Sequence, residues 1–221
     1  MNLLAKVVVV MFALVGATLG FASSCESIAH GQTPSLEQRV RSALGRLPVY
    51  KNDREVGEGE LTNNAEAKRK QLDVVARAIA TAAISKRKTW LERRELAARL
   101  IAVGYHESAW SIDVHRGFCG RYECDTDSRG NVRARTPWQM HRRPSMTEEE
   151  WDALVGVELH ATTLAAIEAA ARLDYSASVC KGEPDELLAT LAHYAGRGCR
   201  GRLKDGPARA KTYRAALARL D

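Results

Sequence analysis

With 221 residues the chain is long enough for one domain and an export segment. Hydrophobic residues at 45% can fill a single core, and charged residues at 27% exclude a disordered chain. The formal charge of +6 is scattered along the chain and fits plain solubility as well as attraction to an anionic polymer, charge alone favouring neither; no aromatic and basic interleaving of the kind that stacks bases accompanies it, so no nucleic-acid partner is expected.

The first element is an export signal. Lys6 gives a short positive start, and Val7 to Ala22 carries no charge. Gly20 and Ala22 stand at the −3 and −1 positions of a cleavage after Ala22. The apolar run is about 16 residues, shorter than the roughly 20 of a membrane-spanning helix. Residues 1–22 are therefore expected to be a signal peptide, with an uncleaved anchor as the alternative. Cys25, preceded by Ala22-Ser23-Ser24, is a weak candidate for lipidation. The membrane enters only through this N-terminal segment.

Residues 23–60 are expected to form a linker with a short helix at about 35–47, and residues 61–221 the main domain. Pro34-Ser35 with Glu37 marks the start of the short helix, and Pro48, Asn52, Gly57 and Gly59 mark a loop. Helical spacing of Leu72, Val75, Ile79 and Ala83 predicts a helix over about 64–85. Leu96, Leu100 and Val103 predict another over about 88–108. From Ser111 to His141 glycines, cysteines and aspartates replace that pattern, with a turn at 127–131 and an irregular strand over 132–140. Thr147 with Glu150 fits a capping box, and Trp151 opens a run reaching about Leu173. Helices at about 184–196 and 207–220 follow. The fold class is mainly α, a helical domain interrupted by a small loop or β region, and a monomer is expected.

Five cysteines are present, and four lie beyond the leader: Cys119, Cys124, Cys180 and Cys199. An even count after an export signal predicts two disulfides in an oxidising compartment. Three connectivities are open. Local pairing would close a short loop between Cys119 and Cys124 and fold the chain back along a helix between Cys180 and Cys199. His106, His115, His141 and His193 cluster near the motifs, but Trp110 fills the second histidine position of a His-Glu-x-x-His pattern, so no metal and no cofactor are expected.

Glu107 is the candidate catalytic residue. It follows Val103 by four residues, Leu100 by seven and Leu96 by eleven, so all four share one helix face. A carboxyl closing an apolar stripe keeps its proton more readily, as glycoside cleavage requires of its acid. The stretch Ala102-Val103-Gly104-Tyr105-His106-Glu107-Ser108-Ala109-Trp110 resembles the Glu-Ser motif of soluble lytic transglycosylases and goose-type lysozymes. Thr136-Pro137-Trp138-Gln139-Met140 is similar to the Trp-Gln element that follows in that superfamily. Leu191-Ala192-His193-Tyr194-Ala195-Gly196 is similar to its Ala-Tyr-Asn-Ala-Gly motif, without the asparagine and one residue shorter. The resemblance covers about residues 95–200.

It implies a lysozyme-like α+β domain that cleaves the MurNAc–GlcNAc β-1,4 bond of peptidoglycan glycan strands in the periplasm or outside the cell. Glu107 would be the general acid. Ser108 would hold the following loop across the cleft, Gln139 would line the sugar cleft, and Tyr194 would aim its hydroxyl near Glu107. Trp110 and Trp138 would offer flat faces to sugar, with core packing as the alternative. Asp113, Asp125 and Asp127 are the candidates for a second carboxylate, yet none stands two residues after Gln139, where His141 is found. That favours a transglycosylase over a hydrolase. A lysozyme-type hydrolase and a non-catalytic wall-binding protein are the alternatives.

Overall fold

Ser35 opens the first helix, α1 (Leu36–Leu44): its hydroxyl accepts from the Gln38 amide while the Gln38 side chain returns to the Ser35 N–H. The computed structural model describes residues 33–47, 65–85, 90–117 and 134–221. Within these the chain is mostly helical. Val40, Ala43 and Leu44 of α1 are buried, and Arg39 donates to the carbonyl of Leu220 at 2.6 Å. The short helix assigned to the linker is therefore packed into the main body, against the far end of the chain.

α2 (Ala65–Ser85) buries Val75, Ile79 and Ala83 as its spacing predicts, with Ala76, Ala78 and Ala82 between them. α3 (Arg93–Ser108) starts later than expected, after Glu92, whose N–H reaches the Glu95 carboxylate. One apolar face was expected. Instead every residue from Leu96 to Gly104 is buried, Arg99 included. α3 is the central helix, surrounded by α2, α6 (Leu159–Val179) and α8 (Gly206–Leu220). Ala97, Ala98, Ala102 and Gly104 permit that close approach, and Arg99 lies over the Tyr213 ring of α8.

After Ser108 comes α4 (Ile112–His115). The irregular strand expected over 132–140 is a hairpin instead: β1 (Ala134–Arg135) pairs antiparallel with β2 (Met140–His141), Ala134 opposite His141. The four-residue turn between them breaks a continuous strand.

The run from Trp151 to Leu173 also divides. α5 (Glu148–Asp152) has the expected Thr147–Glu150 capping box but stops after five residues. Gly156 then takes φ 151°, closed to a helix, and its N–H bonds the His115 carbonyl at 2.7 Å. α6 restarts at Leu159 and continues to Val179. α7 (Glu186–Tyr194) is capped by Asp185, and α8 has Pro207 in its first turn.

Cys180 and Cys199 form a disulfide with their Cα atoms 5.4 Å apart, so the chain does fold back along α7. Cys25, Cys119 and Cys124 lie outside the described residues, as do residues 7–22. No described helix is long and apolar enough to cross a membrane.

The bridge closes a loop of 19 residues of sequence separation. Replacing both cysteines with serine should cost about 2–4 kcal/mol in urea unfolding. Alkylation of the native, unreduced protein should leave both residues unlabelled; labelling of either would remove the bridge from the native state.

Candidate functional site

The last turn of α3 is shaped by one missing side chain. A Cβ at Gly104 would fall inside the Trp110 ring, so the indole lies directly on the helix backbone. To bring it there the chain reverses after Ser108, with Ala109 and Trp110 at φ 49° and 59°. The Ser108 hydroxyl donates to the Gly104 carbonyl at 3.0 Å and accepts the Trp110 N–H at 3.2 Å. It holds the loop locally, through its own helix end.

Trp110 meets Trp138 edge to face, ring centroids 5.7 Å apart. Trp138 is completely buried, and its indole N–H donates to the Leu100 carbonyl at 3.0 Å. The Tyr194 hydroxyl donates to the Trp138 carbonyl, also at 3.0 Å. The three separated stretches around Glu107, Gln139 and Tyr194 thus converge on Trp138. A sugar-stacking role for Trp138 is corrected: it has no exposed face, because it fills the space between α3 and the hairpin turn. Trp110 is buried too.

Four non-glycine residues among those described have positive φ: Ala109, Trp110, Thr136 and Gln139. All flank this junction. A β-branched or bulky residue at positive φ is a strained conformation held by its surroundings. Gln139, at φ 47°, is half-buried; its amide nitrogen donates to the Thr136 carbonyl at 3.2 Å, closing the hairpin turn.

Glu107 is partly exposed, its side chain 21% accessible. Its Oε1 accepts from the Arg209 guanidinium of α8 at 2.5 Å. The same guanidinium donates through Nε to Asp205 Oδ2 at 2.7 Å. Burial alone would lower the Arg209 guanidinium; the charges of Glu107 and Asp205, and its hydrogen bonds to them, outweigh burial and raise it. Burial and the Glu107 charge push the Tyr194 phenol up, so it stays a donor. His106 bonds the Thr212 hydroxyl at 2.9 Å, and burial followed by the Arg209 charge lowers its ring.

Arg209 and Asp205 were not singled out in the sequence. Their local signal is an acid and a base four residues apart at the start of a helix; nothing local connects them to Glu107. Of the candidate second carboxylates only Asp113 is described, and it is buried in α4. Asp125 and Asp127 lie outside the described residues. Among the described residues no three His, Cys, Asp or Glu side chains are grouped to hold a metal ion. No protein-family model, curated protein or solved structure matches the chain.

Two outcomes follow from this geometry. Gly104→Ala should displace Trp110 and cost about 1–3 kcal/mol or more, seen as a lower urea midpoint; unchanged stability would show that the indole has room to move. The second concerns His115, completely buried, with Nδ1 2.7 Å from the Gln71 amide nitrogen. Burial pushes this ring down to about 3. An unfolded histidine takes up a proton below about pH 6.5, so the unfolded state binds more protons than the folded one in this range. Stability from the neutral ring is present above about pH 6.5 and is lost as pH falls toward about 3. Unfolding of wild type and His115→Gln across this range should show a flatter profile in the variant; parallel profiles would exclude the effect.

Proposed function

We propose that the chain is an exported peptidoglycan-cleaving glycosidase with a lysozyme-like domain, and that it acts as a lytic transglycosylase. The observation that carries this reading is the convergence on Trp138. Segments about 30 and 55 residues apart in sequence, each similar to one motif of that superfamily, meet at one indole through hydrogen bonds and a ring contact rather than lying scattered.

The chemistry follows from what each group can do. Glu107 stands at the end of a buried helix with its carboxyl reaching solvent, the position of a proton donor to a glycosidic oxygen. Once its proton has gone to the leaving oxygen, the carboxylate is the base that accepts one from the 6-hydroxyl of the same sugar. Attack by that hydroxyl closes a 1,6-anhydro ring and needs no bound water, with proximity supplying much of the acceleration. Tyr194 feels the Glu107 charge from the adjacent helix and keeps its phenolic proton. Gln139 has a closed turn behind it and a half-buried side chain, which suits a group bordering a sugar site. The substrate is peptidoglycan glycan; the place of action is the periplasm or beyond.

One observation favours a second reading. Glu107 is already engaged with Arg209, as it would be in a wall-binding protein of the same architecture without turnover. Digestion of purified cell-wall sacculi separates the two. The wild-type protein should release fragments with 1,6-anhydro ends, lighter by one water than hydrolysis products. Glu107→Gln keeps the shape and removes the proton donor, so release should fall by about a hundredfold or more with the fold intact. Fragments with only reducing ends would replace the transglycosylase by a hydrolase, and equal release by Glu107→Gln would remove Glu107 from catalysis.

A further inference from the structure

The start of α8 carries an arrangement that the proposed chemistry does not use. Asp205 occupies the N-cap position of α8 yet makes no side-chain cap bond to the helix. Its Oδ2 instead accepts from Arg209 Nε, one turn further on. The other edge of the guanidinium donates to Glu107, 102 positions away in sequence. One guanidinium, only 8% exposed, is thus shared by two carboxylates, Glu107 at 21% and Asp205 at 39% exposure.

Other charged and titratable groups face this pair. From α3, His106 Nδ1 lies 3.7 Å from Asp205 Oδ2. From α7, Tyr194 is close enough to feel the Glu107 charge. From α6, Arg172 and Glu168 act on the same phenol and are paired with each other at 2.8 Å.

Sharing has a consequence for the proton on Glu107. A buried guanidinium left without a counter-charge is costly. If Glu107 were its only partner, protonating Glu107 would strand that charge. Asp205 prevents this: when Glu107 becomes neutral, Arg209 is still compensated at Nε. Removing Asp205 would make Arg209 depend on an ionised Glu107. Removing Arg209 would leave two carboxylates without their shared cation and favour a proton on one of them.

We propose that Arg209 is a positioning residue that controls the protonation of Glu107, and that Asp205 opposes it by competing for the same guanidinium. The proposal rests on Glu107 being the proton donor only for its effect on activity; the control itself is a property of the three side chains.

The test uses the full chain with the Cys180–Cys199 disulfide intact. The titration midpoint of the Glu107 carboxyl is followed by carbon-13 NMR, its resonance assigned by its loss in Glu107→Gln. The midpoint should rise in Arg209→Gln and rise less in Arg209→Lys. It should fall in Asp205→Asn, an isosteric change at a part-exposed site that stands alone should Arg209→Gln not fold. The alkaline limb of wall lysis, where the acid loses its proton, should move in the same directions. A role confined to holding α8 against α3 would move the unfolding midpoint of these variants and leave the titration unchanged. Midpoints that stay put in Asp205→Asn, or that move upward there, overturn the proposal. The carboxyl titration alone decides it. Lysis that survives Glu107→Gln would defeat the catalytic reading and leave the titration result standing.

Discussion

Trp138 makes one hydrogen bond on which the rest of the arrangement depends. Its indole N–H donates to the carbonyl of Leu100, in the middle of the central helix. A helical carbonyl has a second lone pair to spare, and the Trp138 indole takes up that of Leu100. Gly104 provides the next contact by leaving space for Trp110, and the Trp110 and Trp138 rings in turn meet edge to face. The Trp138 carbonyl then receives the Tyr194 hydroxyl from α7. A buried indole or phenol without its partner loses more than the bond is worth, because the polar group has no water to fall back on. The three segments are therefore fixed together, and the strain at Ala109, Trp110, Thr136 and Gln139 is borne by the packing around them.

That junction determines where the charges end up. α3 is buried on all sides from Leu96 to Gly104, and past Gly104 its residues return toward solvent. Glu107 emerges there beside the N-terminal turn of α8, where Arg209 and Asp205 are one helical turn apart. The position of Arg209 follows from the packing of α8 on α3, through contacts such as Tyr213 under Arg99 and the buried Ala210 and Ala216. Apolar packing brings the guanidinium to the carboxylate, and the ion pair then answers for a charge that burial would otherwise penalise.

α2 was legible because its apolar residues recur at helical spacing, and the starts of α1 and α5 because of their capping residues, whereas α4 lies in a stretch without that pattern. Val75, Ile79 and Ala83 place α2, and Thr147 with Glu150 places the start of α5. The errors have local causes. The single helix expected from Trp151 to Leu173 fails at Gly156, whose φ of 151° and bond to the His115 carbonyl come from a contact 41 positions away, not from any break in hydrophobic pattern. The hairpin at 134–141 was hidden because Thr136 and Gln139 are not residues that ordinarily mark left-handed backbone. Burial of Trp138 was open to sequence only as one of two roles for an aromatic side chain. Arg209 was not legible at all: among many arginines, its pairing with Glu107 depends on how two helices far apart in the chain are brought together.

The sharing of one cation by two acids also fits a reaction that uses one carboxyl twice. An acid that begins protonated needs its neighbourhood to tolerate a neutral Glu107, and Asp205 supplies the counter-charge that Arg209 then lacks. In the proposed reaction the same group would then have to exist as a carboxylate near developing charge on the sugar. A guanidinium already within hydrogen-bonding distance stabilises that form without having to move into place. A hydrolase would divide the two tasks between separate carboxylates, one kept protonated and one kept ionised. A single glutamate asked to alternate needs a partner whose own charge is balanced in both states. Arg209, held between Glu107 and Asp205, meets that requirement with two bonds that involve different nitrogens and so need not be exchanged during the cycle.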